Sequence, residues 1–156
     1  MPITDYQKYM DVAASKGKFA TYQDSHAETK AAASAINYGM AVEMTGGGSQ
    51  AQTFQGGTFL GVALAREYYD YTDPNAVKQY DANEPVAVVR KGVIWVEVEE
   101  DAAPGDPVYA DQTTGNFRIS ATDSGGTTVG TEVKGATFKS TANAGELIQL
   151  EMNLPA

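Results

Sequence analysis

Val86-Ala87-Val88-Val89-Arg90-Lys91-Gly92-Val93-Ile94-Trp95-Val96-Glu97-Val98-Glu99 is the stretch on which the fold turns. Val, Ile and Trp dominate it, the residue types that fit a pleated, half-buried surface. From Val93 onward Ile94, Val96 and Val98 alternate with Trp95, Glu97 and Glu99, the period of two expected of a strand with one covered face. Lys91-Gly92 reads as the turn of a hairpin joining 86–90 to 93–99, because glycine supplies positive φ. Trp95 then shares the outer face with two glutamates. A tryptophan so placed is either covered by another part of the chain or acts as an aromatic anchor on a binding face.

Short apolar runs separated by turn signals continue on both sides. Upstream, large apolar residues take every second place over 36–44, and Thr45-Gly46-Gly47-Gly48-Ser49 breaks the run. The glycine triplet is not a phosphate cradle, since no Gly-Lys-[Ser/Thr] follows it, and it reads as a flexible hairpin loop. A further strand is predicted over 59–65. Downstream, turns at 101–107, 114–116 and 123–126 separate short strands near Val108-Tyr109, Phe117-Arg118-Ile119 and Val129, and strands over 136–140 and 147–154 end the chain. In the last, Ile148, Leu150, Met152 and Leu154 share a face. About eight short strands with regular turns predict an all-β antiparallel barrel or sandwich, assigned to a β-barrel domain over 36–156.

Residues 1–35 differ in character, being polar, alanine-rich and poor in branched aliphatics. Thr4-Asp5-Tyr6-Gln7 matches a capping box, and Tyr6, Tyr9, Met10 and Ala13 follow at helical spacing before Gly17. A short helix over about 5–15 is predicted, followed by an extended or partly helical arm over 18–35. A helix of so few turns is marginal in water by itself, so its face of Tyr6, Tyr9 and Met10 is a candidate contact surface. A second candidate lies in a long acidic excursion over 66–85, where Tyr69 and Tyr71 stand among Tyr68, Tyr80, Asp70, Asp73, Asp81 and Glu84. Tyrosine joins an apolar face to a hydroxyl and suits either sugar stacking or protein contact.

Chemistry is sparse. With no cysteine, disulfides, thiolate nucleophiles and cysteine zinc sites drop out, and the chain suits a reducing compartment. The single histidine, His26, follows Ser25 in the polar arm, without the Gly-x-Ser-x-Gly elbow that would expose a nucleophile. Asp70-Tyr71-Thr72-Asp73-Pro74-Asn75 lacks the glycine and late glutamate of an EF-hand loop. No catalytic residue, cofactor or metal site is expected, and the protein is read as not an enzyme. Twenty acidic against eleven basic residues give a formal charge of −9, the wrong sign for direct nucleic-acid or anionic-membrane binding. Neither a signal peptide nor an apolar run of roughly 18 residues is visible, so a soluble protein is expected.

Taken in order, these segments resemble the structural cement (head-decoration) proteins of tailed bacteriophages. The resemblance rests on 36–42 (Ile-Asn-Tyr-Gly-Met-Ala-Val), 57–63 (Gly-Thr-Phe-Leu-Gly-Val-Ala) and 91–98 (Lys-Gly-Val-Ile-Trp-Val-Glu-Val). It continues through Val108-Tyr109 after Pro104-Gly105-Asp106-Pro107, through 114–117 (Thr-Gly-Asn-Phe), and through 144–148 (Ala-Gly-Glu-Leu-Ile). In this family a proline often stands where the chain has Asn37. The resemblance implies a non-enzymatic protein that binds the outer surface of a phage head, commonly as a homotrimer at three-fold positions. Its partner would be the major capsid protein, whose neighbouring subunits it clamps, and it would be assembled in the host cytoplasm and reside on the virion. The alternative class is a carbohydrate- or receptor-binding surface module using the tyrosine-bearing excursion.

Overall fold

The structure, a computed structural model, describes residues 14–21, 24–66 and 78–154. Twelve strands are found among them: β1 (His26–Ala32), β2 (Ile36–Asn37), β3 (Ala41–Thr45), β4 (Gln50–Thr53), β5 (Phe59–Ala63), β6 (Gln79–Tyr80), β7 (Pro85–Glu97), β8 (Tyr109–Asp111), β9 (Phe117–Arg118), β10 (Gly130–Glu132), β11 (Ala136–Phe138) and β12 (Leu147–Asn153). The helical content of the described residues is one short 3-10 turn at Gly46–Gly48. The helix predicted over 5–15 lies outside the described residues except for its last two positions, which are not helical.

Five strands close on themselves in the order β1-β4-β3-β5-β7, with β1 returning to β7. The all-β expectation holds, and of its two forms the closed one is found, but the ring is mixed rather than antiparallel. β1 runs parallel to β4, Ala31 facing Gln50 and Ala32 facing Ala51, while the other four ring pairings are antiparallel. Each ring strand sends apolar side chains into one cluster: Ala32, Val42, Ala51, Leu60 and Ala63, Val86 and Val88. That cluster fills the barrel, and β2 and β6 close over it with Ile36, Tyr38 and Tyr80.

β7 is the longest strand and contradicts the predicted hairpin. Lys91-Gly92 is no turn; the chain runs through it for 13 residues. Both halves already have partners, so neither needs the other. The first half pairs with β1 and β5, and the second with β12, from Lys91 opposite Asn153 to Glu97 opposite Leu147. Gly92 does adopt positive φ, 131°, but uses it inside a strand, next to a register shift at His26/Ala27 that leaves Arg90 unmatched between Val89 and Lys91. The buried set accordingly changes from Val86 and Val88 in the barrel to Ile94, Val96 and Val98 in a second core.

This second core lies outside the ring. It joins Ala41, Val62 and Val89 to Ile94, Val96, Val98, Ile148, Leu150, Met152, Phe117 and Phe138. The small sheet β10-β8-β9 adds Ala110 to it. Residues 26–32, placed in the arm by sequence, are the strand that closes the ring. In β1 only Ala32 is buried, so the segment carries no alternating apolar signal.

Candidate interface

Among the six residues singled out by sequence, Trp95 is described; Tyr6, Tyr9, Met10, Tyr69 and Tyr71 lie outside the described residues. The predicted alternation around Trp95 is observed. Ile94 faces Leu150 and Val96 faces Ile148, all four buried, whereas Trp95 faces Gln149 and both are half-buried. Trp95 therefore points away from the second core, on the side that carries Glu97. Its indole Nε1 is out of solvent with no hydrogen-bond partner among the described residues.

The arm passes along this part of β7. Gly17 N–H donates to Trp95 O at 2.8 Å, Trp95 N–H to Lys18 O at 2.9 Å, and Ala20 N–H to Val93 O at 2.8 Å. Gly17 O in turn accepts from Ala65 N–H at 2.8 Å. Two glycines permit this approach. Gly17 and Gly39 both have positive φ, and a Cβ on Gly17 would stand 2.7 Å from Gly39 N. Gly17 thus serves close backbone contact. With its backbone fixed, Lys16 extends its Nζ to Asn116 Oδ1 at 2.6 Å and Glu97 Oε2 at 3.2 Å, with Met40 Sδ at 3.6 Å. Sequence reasoning missed this group, because its members are about a hundred residues apart along the chain.

A second polar cluster braces the far side of the second core. Arg118 is buried and reaches Asp111 Oδ2 at 2.9 Å, Glu100 Oε1 at 3.2 Å and Glu99 Oε2 at 3.8 Å. Burial pushes the Asp111 carboxyl up, but hydrogen bonds from Thr113, Glu99 and Arg118 outweigh it and bring the pKa down to about 2. Burial and the neighbouring Asp111 instead raise Glu99. Glu100 is lowered: burial opposes ionisation, but Ser120, Ile119 N–H and Arg118 favour it more strongly. In the ring, Glu43 is also held low, its burial outweighed by donors from Gln52, Gln55 N–H and Gly57 N–H. These carboxylates are spent on holding loops.

His26 is exposed on β1, opposite Lys91. No group of three or more His, Asp and Glu residues there is arranged to hold a metal ion, and no described helix is long and apolar enough to cross a membrane. What the geometry presents is a rigid β body with an arm laid along one long strand.

Comparison with known proteins agrees with that description. No curated protein sequence matches the chain. Among solved structures, a chain from the capsid of Myoviridae Phage XM1 is similar in fold, with a TM-score of 0.64 at 17% identity, covering 97% of this chain and 98% of that one. The family described as structural cement protein (E217 gp24/Pam3 gp6) matches residues 1–153. With nearly its whole length accounted for by that match, the chain belongs to the phage structural cement protein family.

Proposed function

We propose that the protein is a non-enzymatic cement that sits on the outer surface of a phage head and stabilises contacts between major capsid subunits. The observation that carries this reading is the family match over residues 1–153. The geometry supports it: a barrel closed by β1 and extended by a second core is a stiff block suited to bridging neighbours. The mechanism is added buried area across subunit boundaries. A contact of about 1,600 Å² per copy is enough for specific association, and repetition over a shell multiplies it.

Contacts with the shell are assigned to three places. One is the face of Tyr6, Tyr9 and Met10, another is the excursion bearing Tyr69 and Tyr71, and the third is the surface around Trp95. The protein acts as a homotrimer, free or once bound. The test is to add purified protein to shells that lack it, then measure occupancy and thermal rupture and image the decorated particles. Trimeric density outside the shell, with a raised rupture temperature, is expected. Binding to glycans with no uptake by shells would overturn the reading, as would monomers bound without contact to two capsid subunits.

A further inference from the structure

The side chains of Lys16, Glu97 and Asn116 converge where the arm meets the body, with Lys16 Nζ 2.6 Å from Asn116 Oδ1 and 3.2 Å from Glu97 Oε2. The amine stands within reach of both a carboxamide and a carboxylate, the nucleophile, electrophile and proton carrier of an amide exchange, and the Asn116 side chain is also hydrogen-bonded to Glu99. We propose that Lys16 and Asn116 form an intramolecular isopeptide bond, with Glu97 as the catalytic carboxylate, so that the arm is covalently stapled to the turn between β8 and β9.

Each reactant is held by its own backbone rather than by a surface rotamer. The residue after Lys16, Gly17, is clasped between Trp95 O and Ala65 N–H. Asn116 N–H donates to Thr114 Oγ1 at 3.2 Å and its carbonyl accepts from Asp111 N–H at 2.8 Å. Glu97 is paired with Leu147 in the β7–β12 ladder. Reactants so fixed gain the effective concentration of an intramolecular reaction, which reaches roughly 10⁵ M or more when groups are well oriented. The lysine and glutamate side chains are 24% and 36% exposed, and Met40 Sδ lies 3.6 Å from the amine, so the pair is partly covered.

The chemistry balances without an oxidant or cofactor. Glu97 takes one proton from the Lys16 ammonium, and the free amine attacks Cγ of Asn116. A new N–C bond forms as the carbonyl π pair moves onto oxygen. Glu97 returns its proton to Nδ2, the Cγ–Nδ2 bond breaks, and the carbonyl re-forms. The second proton shed by the attacking nitrogen leaves with ammonia as ammonium. A chain without cysteine gains by this route a covalent brace indifferent to redox conditions.

Intact-mass measurement of protein purified alone and from decorated particles tests the proposal. Wild type should be lighter than its sequence by one ammonia, and digestion should yield a branched peptide joining Lys16 to Asn116. Lys16→Arg, which keeps the charge but is not a competent amine nucleophile, and Glu97→Gln should both show the full mass. Full mass for wild type from both sources would overturn the proposal. So would loss of ammonia that persists in Lys16→Arg, since it would then belong to succinimide formation elsewhere.

Discussion

Asp111 and Arg118 show at single-residue scale how this body tolerates buried charge. Asp111 is 1% exposed and Arg118 7%, so removing one partner leaves the other charged and out of water. Arg118→Ala should therefore destabilise the protein by about 3–5 kcal/mol, read as a lowered urea midpoint. Asp111 also sets an acid limit. Its folded pKa of about 2 lies below the 3.8 of a free side chain, so its stabilisation is full above about pH 4 and is lost as pH falls towards 2, about 2 kcal/mol in all. Glu99 has the opposite sign: raised in the fold, it contributes below its ordinary range and loses that contribution as pH rises. Asp111→Asn should be less stable than wild type at neutral pH, and the two unfolding curves should converge near pH 2. A gap that stays constant down to that pH would show that charge is not its source. At this scale the sequence was informative where packing alone decides. Ile94, Val96 and Val98 inside with Trp95 outside could be read from alternation, whereas the partners of Lys16 could not, because they lie 81 and 100 residues away, nor those of Arg118, which lie across turns with no pattern to mark them.

Strands were legible where alternation was uninterrupted, and misread where the chain uses irregularity. The register shift at Val42/Glu43 sets Phe59 opposite Glu43 and Gly61 opposite Val42, leaving Leu60 extra. Leu60 and Ala63 thereby reach the barrel interior together despite odd spacing. Arg90 does the equivalent in β7, which is why Lys91-Gly92 resembled a hairpin turn. β1 was invisible because only Ala32 of its seven residues is buried, and the two-residue parallel contact of Ala31 and Ala32 leaves no pattern at all. The narrow approach of β5 to β7 is a testable part of this element. A Cβ on Gly61 would collide with Val89 O and with Val88 Cγ1, and backbone cannot swing aside as a side chain can. Gly61→Ala should cost about 1–3 kcal/mol, lowering Tm by roughly 2–4 °C per kcal/mol for a chain of this size. An unchanged Tm would mean that the two strands are farther apart than described.

For the whole molecule, part of the arm is built into the body. Residues 16–20 are bonded to β7 and Lys16 is tied to Asn116 and Glu97, so they belong to the body. A truncation lacking residues 1–13 should keep the melting temperature of the full chain within about 1 kcal/mol of stability while binding shells more weakly. Early unfolding with undiminished decoration would show that those residues cover the body instead of reaching a partner. The closed ring, finally, constrains how the protein comes into being. Its earliest strand, β1, meets β4 only through Ala31 and Ala32 and finds most of its pairing against residues 85–91, which leave the ribosome long after it. Until then β3, β4 and β5 can pair only as an open three-stranded sheet with β3 at its centre and exposed edges, a form prone to sticking to other chains. Closure by partners so distant in sequence places folding at the slow end of the scale for small domains. The time between the making of β3 and the delivery of β7 is therefore the interval in which those open edges can meet other chains.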